Sequence, residues 1–235
     1  MSVQQEEQRL IKIAVIHTEF PQKFGVPRQS RLTAAKGRIV LEPEYREPEA
    51  LRGIEEYSHL WLIWGFSKVS GERWRPTVRP PRLGGNIRKG VFATRSPFRP
   101  NRLGLSCVRL LSVEQTEKDG PVLWVEGVDM VDQTPIYDIK PYLPYADAVP
   151  DASGGFADQA ERELLEVEIP EEWLARIPEE KKELLKEVLA QDPRPSYQKD
   201  PERIYGMAYG GMDVKFRVNG SILTVCGVSG ETDLI

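Results

Sequence analysis

The chain contains few of the residues from which metal sites and disulfide frameworks are built. It has two histidines and two cysteines, and Cys107 and Cys226 stand far apart without a metal or redox spacing. The sequence therefore predicts no metal site, and a reducing compartment rather than a disulfide framework. No apolar run approaches the ~20 residues needed to cross a bilayer, and the polar start lacks the apolar core of a signal peptide. We expect a cytoplasmic protein without a membrane segment.

Two common nucleotide-binding signatures are missing as well. No Gly-x-Gly-x-x-Gly string stands between a strand and a helix, and no phosphate-binding Walker loop occurs. Gly84, Gly85 and Gly90 lie close together, but Pro80 and Pro81 precede them where a Rossmann strand would be, which favours a loop. Neither cysteine has the neighbourhood of a catalytic nucleophile. An enzyme built on this sequence would work by positioning a reactive cosubstrate.

Short runs of Val, Ile, Leu and aromatic residues, separated by Pro and Gly, fill the first two thirds of the chain. This pattern predicts a mainly β domain. Several short strands at such spacing favour a barrel or a sandwich, since a closed sheet has no exposed edges. A short helix is expected near Pro48–Leu51, where proline fits a first helical turn. The predicted strands are Leu10–His17, Gly37–Leu41, Tyr57–Phe66, Val91–Arg95, Leu103–Val113, Val122–Met130 and Ile136–Lys140.

The character of the sequence changes after a stretch with the composition of a linker, Val149–Phe156. Pro178–Ala190 predicts a helix, because proline and glutamate suit its start and the apolar residues share one face. The Asn-Gly pair at 219–220, between two apolar runs, predicts a hairpin with a type I′ turn. We therefore expect a barrel domain over residues 1–156 and a small α+β domain over residues 157–235.

The net charge of −4 hides an uneven distribution along the chain. Acidic residues predominate between 158 and 192, whereas the stretch 73–109 holds many basic residues and no acidic one. A phosphate chain responds to the local field, so this stretch is compatible with an anionic partner; a solvated basic face is the plain alternative. Its basic residues are Arg73, Arg75, Arg79, Arg82, Arg88, Lys89, Arg95, Arg99, Arg102 and Arg109.

Several strings of the sequence resemble those of one known family, the TrmO family. They are Phe24–Gln29, Gly53–Trp61, Val91–Asn101 and Val131–Tyr142, and the likeness continues after the linker at Leu189–Tyr197. The resemblance covers nearly the whole chain. It implies a small β-barrel methyltransferase fold that is not of the Rossmann type, with a smaller α+β appendage, and it implies a homodimer.

The resemblance also implies an activity. The expected enzyme is a methyltransferase that uses S-adenosylmethionine to methylate the exocyclic nitrogen of threonylcarbamoyladenosine in tRNA, typically threonine tRNA. The modified nucleoside lies next to the anticodon, on its 3′ side. Two other interpretations stay open on the sequence alone: a non-catalytic RNA-binding barrel, and a methyltransferase of the same fold with another substrate.

Carried onto the matching positions, the resemblance assigns a set of contacts with S-adenosylmethionine. Asp132 suits the ribose or amine of this molecule, and a guanidinium of Arg28 or Arg95 suits its carboxylate, although solubility alone would explain surface arginines. Asp132 also has the sequence context of a turn-capping carboxylate, and the two roles can coexist. Leucine and phenylalanine supply apolar walls. The assigned residues are Pro27, Arg28, Gln29, Phe66, Ser67, Arg95, Leu105, Asp132, Gln133, Thr134 and Pro135.

One residue of this set departs from the family pattern. Many relatives have glycine at the position of Gln133, and glycine is often used where φ is positive. Glutamine therefore predicts ordinary backbone geometry here, or a role for the side chain.

The remaining candidates concern proton transfer and RNA. Methylation of a nitrogen that carries a proton favours a base, for which Asp138 and Tyr137 are candidates, although polar strand ends would explain both. Basic residues beside the predicted cofactor loop suit phosphate contacts, and the Pro-framed loop 192–197 suits contact with an anticodon loop; a plain helix-terminating loop is its alternative. The predicted tRNA contacts are Arg88, Lys89, Arg99, Arg102, Asp192, Arg194 and Tyr197.

Overall fold

A computed structural model describes residues 9–69, 73–80, 87–158, 164–195, 198 and 200–230. Its strands are β1 (Ala14–Thr18), β2 (Lys36–Leu41), β3 (His59–Gly65), β4 (Thr77–Val78), β5 (Lys89–Gly90), β6 (Leu103–Thr116), β7 (Gly120–Glu126), β8 (Thr134–Pro141), β9 (Glu166–Glu168), β10 (Tyr205–Tyr209), β11 (Met212–Asn219) and β12 (Ile222–Gly230). Its α-helices are α1 (Pro144–Asp147), α2 (Glu171–Leu174) and α3 (Glu179–Ala190).

Six strands close into an antiparallel barrel in the order β1-β2-β7-β6-β3-β8. The alternation of apolar residues sends one face of each strand inward, so that Leu60, Leu62 and Trp64 of β3 are buried together with Ile16 and Ile39 of β1 and β2. Closure pairs every barrel strand on both sides and removes the exposed edges of an open sheet. The prediction of a mainly β fold with a barrel is confirmed.

The antiparallel order brings three connections to one end of the barrel. β1, β3 and β7 end there, and β2, β6 and β8 begin there. Residues 19–35, 66–102 and 127–133 therefore emerge side by side, although they are far apart in sequence. We call this the loop end of the barrel.

A second, smaller sheet follows, in the order β10-β11-β12-β9, with β12 and β9 parallel and the other pairs antiparallel. α3 buries Leu185, Val188 and Leu189 in the same apolar cluster as this sheet. The helix predicted over Pro178–Ala190 is confirmed at Glu179–Ala190, with proline immediately before its first turn.

The hairpin of β11 and β12 is present, but its turn is not of the predicted type. Asn219 pairs with Ile222 in the ladder, so Gly220 and Ser221 are the two central residues. Gly220 has a φ of 59°, and Ser221 is not among the described non-glycine residues with positive φ. Positive φ at the first central residue alone is the pattern of a type II′ turn, so the type I′ prediction is wrong. Both types match the twist of a hairpin, which is why the hairpin itself is correct.

Two predicted strands differ from the structure for local reasons. Val91–Arg95 is not a strand: a 3-10 turn occupies Val91–Ala93, because the backbone N–H and the hydroxyl of Thr94 both donate to the carbonyl of Val91 (3.1 and 2.9 Å). The strand predicted to reach Met130 ends at Glu126, since Gly127 turns the chain with a φ of 85°. The short helix expected at Pro48–Leu51 is a 3-10 turn.

The second sheet packs directly against residues 19–35. The rings of Phe24 and Phe216 stack with centroids 6.3 Å apart. Glu19 accepts a hydrogen bond at its backbone carbonyl from the N–H of Gly210 (2.9 Å), and its carboxylate lies 3.1 Å from Lys181 Nζ. The connection 19–35 is therefore held between the barrel and the second domain.

Within the described ranges, no helix has the length and apolar character needed to cross a membrane. The same residues hold no group of three or more His, Cys, Asp and Glu side chains that could bind a metal ion.

Candidate functional site

The residues assigned to the cofactor come from all three connections at the loop end and from the first residues of the strands that follow. Pro27, Arg28 and Gln29 lie between β1 and β2, Phe66, Ser67 and Arg95 between β3 and β6, and Asp132 and Gln133 between β7 and β8. Leu105 lies near the start of β6, and Thr134 and Pro135 begin β8. The barrel topology thus places these segments at one end, which the order of the residues in the chain does not show.

Side-chain contacts join the first two connections. The guanidinium of Arg95 donates a hydrogen bond to the side-chain oxygen of Gln29. Phe66 packs on Trp64 with ring centroids 4.4 Å apart. Leu105 is 56% exposed, although it lies in a barrel strand. An exposed leucine, an arginine and a glutamine amide at the same end of the barrel are suited to a ligand that has both apolar and charged parts.

The third connection is fixed by hydrogen bonds to β1 and the residues after it. The backbone N–H of Asp132 donates to the carbonyl of Phe20 (2.7 Å), and its carboxylate accepts the backbone N–H of Thr18 (3.0 Å). The same carboxylate lies 3.5 Å from Nδ1 of His17. Asp132 therefore has the turn-capping role that the sequence allowed, while its side chain stays partly exposed.

Gln133 does not have ordinary backbone geometry. Its φ is 65°, in the left-handed region, so the expectation of ordinary geometry is wrong, and a role for the side chain stays a prediction. Its backbone N–H donates to the carbonyl of Ile16 (3.0 Å), which holds the residue in this conformation at the cost of about 1–2 kcal/mol for a residue other than glycine. The backbone at this position thus has the geometry that glycine would adopt.

Asp129 is a residue of the site that the sequence did not single out. Ser106 Oγ donates a hydrogen bond to Asp129 Oδ1 (2.6 Å), and Trp64 Nε1 donates to Ser106 Oγ (2.9 Å). Burial raises the pKa of Asp129 to about 6, although hydrogen bonds from Ser106 and from the backbone of Ser30, and the charge of Arg95, act to lower it. In the sequence, Asp129 is a carboxylate between two apolar residues. It was not singled out, because a strand was predicted over Val122–Met130.

The two residues predicted as bases lie on β8. Asp138 Oδ1 accepts the backbone N–H of Ile139 (3.0 Å), and its Oδ2 lies 3.1 Å from Lys140 Nζ. Tyr137 packs over Gly65, where a Cβ would lie 2.7 Å from the tyrosine oxygen. Both arrangements match the plain alternative of polar residues paired along a strand, and the role in proton transfer stays a prediction.

Four of the basic residues predicted to contact tRNA belong to the connection 66–102. Arg88 and Lys89 lie on or beside the two-stranded ribbon of β4 and β5, where Arg88 donates to the hydroxyl of Thr77 (3.2 Å). Arg99 donates to the carbonyl of Thr94 (2.7 Å), and Arg102 donates to the carbonyl of Val69. The last two guanidinium groups therefore also hold the fold of this connection.

Arg28 links the connection 19–35 to the loop after α3. Its guanidinium donates to the backbone carbonyls of Asp192 (2.8 Å) and Arg194 (2.9 Å). Arg194 in turn donates two hydrogen bonds to the carboxylate of Asp192 (2.8 and 3.0 Å), and its side chain is only 11% exposed. Tyr197, the third predicted contact of this loop, lies outside the described residues. A predicted cofactor residue and two predicted tRNA residues are thus in direct contact.

Comparisons with known proteins agree over most of the chain. Residues 15–148 match the family model described as the tRNA-methyltransferase O N-terminal domain, and residues 156–231 match that of the TrmO C-terminal domain. An Escherichia coli (strain K12) protein named tRNA (adenine(37)-N6)-methyltransferase is 44% identical over 216 residues, which are 88% of this chain and 92% of that protein. A crystal structure of TrmO from P. aeruginosa has a TM-score of 0.79 at 36% identity and covers 97% of this chain and 100% of its own.

A more distant relative bears on the ligand. A Pyrococcus abyssi protein with the name "Probable S-adenosyl-L-methionine-binding protein" is 40% identical over 140 residues, which are 57% of this chain and 68% of that protein. In fold and site, the molecule is a β-barrel protein with an appended α+β domain that packs against one connection of the loop end, and it is not of the Rossmann type. The chain belongs to the tRNA-methyltransferase O (TrmO) family.

Proposed function

We propose that the chain methylates the exocyclic nitrogen of threonylcarbamoyladenosine at position 37 of tRNA, threonine tRNA above all, with S-adenosylmethionine as the methyl donor. The observation that carries the proposal is the match of both domains to this family, together with 44% identity to a tRNA (adenine(37)-N6)-methyltransferase. The names of the relatives support methylation of adenine 37 directly. The requirement for a threonylcarbamoyl group and the preference for threonine tRNA are the more specific parts of the proposal.

The residues at the loop end fit S-adenosylmethionine. This molecule has a carboxylate, an amine, a ribose, an adenine and a sulfonium, which supplies an electrophilic methyl group. Arg95, held by Gln29, suits the carboxylate, and Asp132 keeps exposed surface for the ribose or the amine. The exposed side chain of Leu105 suits the adenine. Arg28 fits less directly, because its guanidinium already donates to the loop after α3.

The same end of the barrel carries the basic residues that suit an RNA phosphate chain. Arg88 and Lys89 belong to the connection that also carries Arg95, so RNA bound there would lie next to the cofactor. The contact of Arg28 with the loop 192–195 brings residues of 157–235 to the same place. We infer that residues 1–156 bind the cofactor and that residues 157–235 contribute to the tRNA site. On the family likeness we also propose a cytoplasmic homodimer, for which light scattering should give twice the mass of one chain.

The experiment that tests the proposal is methylation of purified threonine tRNA that has or lacks the threonylcarbamoyl group, followed by mass analysis of its nucleosides. The expected result is a single added methyl group on the modified nucleoside only. Equal methylation of both tRNAs would contradict the threonylcarbamoyl requirement. Binding of tRNA without methylation, and without affinity for S-adenosylmethionine in calorimetry, would identify an RNA-binding barrel instead.

Arg95→Ala is expected to weaken binding of S-adenosylmethionine about tenfold, the effect of losing one charge-assisted hydrogen bond. Calorimetry with the purified protein measures this affinity without tRNA. Arg52→Ala is the matched control, because it removes an exposed guanidinium that pairs with Glu49 and lies outside the loop end. An unchanged affinity in the Arg95 variant would remove this residue from the site.

Arg194→Ala is expected to lower turnover on tRNA about tenfold while the affinity for S-adenosylmethionine stays within about threefold. The reason is that the arginine pairs with Asp192 and so fixes the shape of the loop that we assign to tRNA. Lys186→Ala, which removes an exposed lysine of α3 paired with Glu183, is the control. A parallel loss of cofactor affinity would mean that the loop acts on the cofactor site through Arg28.

A further inference from the structure

Asp129 stands where three segments of the loop end meet. Its carboxylate accepts the hydroxyl proton of Ser106, next to Leu105, and a backbone hydrogen bond from Ser30, next to Gln29. Arg95 is the charged group that faces it. Asp129 thus contacts the neighbours of two residues assigned to the cofactor, Leu105 and Gln29, and faces a third, Arg95. It also lies three positions before Asp132.

The direction of the hydrogen bonds to this carboxylate follows from the chemistry of the groups behind it. The indole nitrogen of Trp64 has a proton and no acceptor orbital, so Ser106 Oγ must accept from it (2.9 Å). The hydroxyl proton of Ser106 is therefore directed to Asp129 Oδ1 (2.6 Å). Asp129 Oδ1 is therefore held as an acceptor. Part of the residue remains exposed at the loop end.

The proposed reaction requires such an acceptor. The exocyclic nitrogen of a carbamoylated adenosine carries one hydrogen and a lone pair delocalised into the ring and the carbonyl group. When the nitrogen–methyl bond forms and the sulfur–methyl bond breaks, the nitrogen becomes cationic unless its proton leaves. The balanced products are the methylated nucleoside, the neutral thioether and one proton, which the protein must receive.

We propose that Asp129 is the residue that receives the proton of the exocyclic nitrogen. The assignment rests on the proposed function, and it replaces neither the cofactor contacts nor the tRNA contacts given above. Asp138 is less suited, because one of its oxygens accepts a backbone N–H and the other pairs with Lys140. Asp129 lies between the cofactor segments and keeps part of its surface exposed.

The ionisation of Asp129 supports the role. Burial raises the pKa of its carboxyl to about 6, which leaves the group ionised at neutral pH and makes it a stronger base than an exposed aspartate. Ser106, the backbone of Ser30 and Arg95 act in the opposite direction and keep the pKa from rising further. A base whose pKa lies just below the working pH accepts a proton most effectively.

The test compares Asp129→Asn with the parent chain and with Asp151→Asn. Asparagine has the same shape and keeps an oxygen for the hydroxyl of Ser106, but it does not take up a proton. We expect kcat on threonylcarbamoylated tRNA to fall by about a hundredfold or more in Asp129→Asn, with cofactor affinity in calorimetry within about threefold. In Asp151→Asn, which changes an exposed carboxylate of the linker, kcat should stay within about threefold of the parent value.

Two pH measurements complete the test. The kcat of the parent chain should fall at low pH with a midpoint near 6, a limb that Asp129→Asn lacks; Ser106→Ala should move this limb to higher pH, because the hydroxyl lowers the pKa of Asp129. In the ligand-free protein, carbon NMR of labelled aspartate carboxyls should show one signal that titrates near pH 6 and is missing from Asp129→Asn.

The outcomes separate the two proposals. A variant Asp129→Asn with the kcat of the parent, or with a loss of kcat matched by a loss of cofactor affinity, overturns the assignment of Asp129 and leaves the proposed function standing. A parent chain that does not methylate the modified tRNA overturns the proposed function, and the assignment falls with it.

Discussion

Asp129→Asn is expected to be more stable than the parent chain at pH 7.5, by an amount that reaches roughly 3 kcal/mol in the free energy of unfolding. This figure corresponds to a pKa of about 6 in the folded chain against the ordinary 3.8. Between these two pH values the folded chain binds more protons than the unfolded chain, so the stability of the parent falls as pH rises through this window. Asparagine imitates the protonated carboxyl at every pH.

Urea unfolding of both proteins between pH 3.5 and 8, roughly the range that spans the two pKa values, measures this difference. The two stabilities should agree at the acid end, separate as pH rises from about 3.8 to about 6, and differ by a constant amount above pH 6. Asp138→Asn is the control, since that carboxylate is exposed and paired with Lys140. If the free energies of unfolding of the parent and of Asp129→Asn run parallel over the whole pH window, the folded chain does not destabilise the ionised carboxylate of Asp129. If Asp129→Asn is more stable than the parent chain but has lower turnover, Asp129 is retained for catalysis at a cost in stability.

Gly25→Ala is expected to destabilise the chain by roughly 3 kcal/mol, from left-handed backbone strain and from overpacking together. Gly25 has a φ of 94°, and a Cβ at this position would lie 2.3 Å from the sulfur of Met207. Met207 is fully buried in the second sheet, so its side chain has no solvent to move into. The substitution would force apart the connection 19–35 and the second domain, and we expect tRNA turnover to fall with the stability.

The matched control is Gly211→Ala. Gly211 also has a positive φ, 78°, but nothing lies within 4 Å of the position of an added Cβ. Thermal unfolding of the two variants therefore separates the strain of the backbone, which both share, from the contact with Met207, which only Gly25→Ala disturbs. Equal losses in the two variants would show that the second domain does not press on Gly25.

Much of the architecture could be predicted from local patterns. The apolar alternation of β3 and the periodicity of α3 are properties of neighbouring residues, and the strands and the helix form where these patterns predict them. The prediction was wrong where one hydrogen bond or one backbone angle decides the outcome. Thr94 closes a turn on Val91 and ends a strand pattern, and Gln133 adopts a φ that its side chain disfavours.

The candidate site was predicted in part. Arg95 and Gln29 were assigned from the resemblance, and the structure brings their side chains into contact. Asp129 could not be predicted, because an aspartate near the end of a strand is common in sequences. Only its partners in the folded chain distinguish it. Ser106 lies 23 residues before it, and Ser30 and Arg95 belong to other connections.

By itself, the sequence determined the mainly β fold, the hairpin and helix of the second domain, and the family, because each is written in residues that are close together in the chain. The tertiary structure decided which of those residues meet. The pKa of Asp129 is set by burial among three connections, and Arg28 reaches the carbonyl of a residue 164 positions away. Such effects depend on distances through space, which barrel closure and domain packing create.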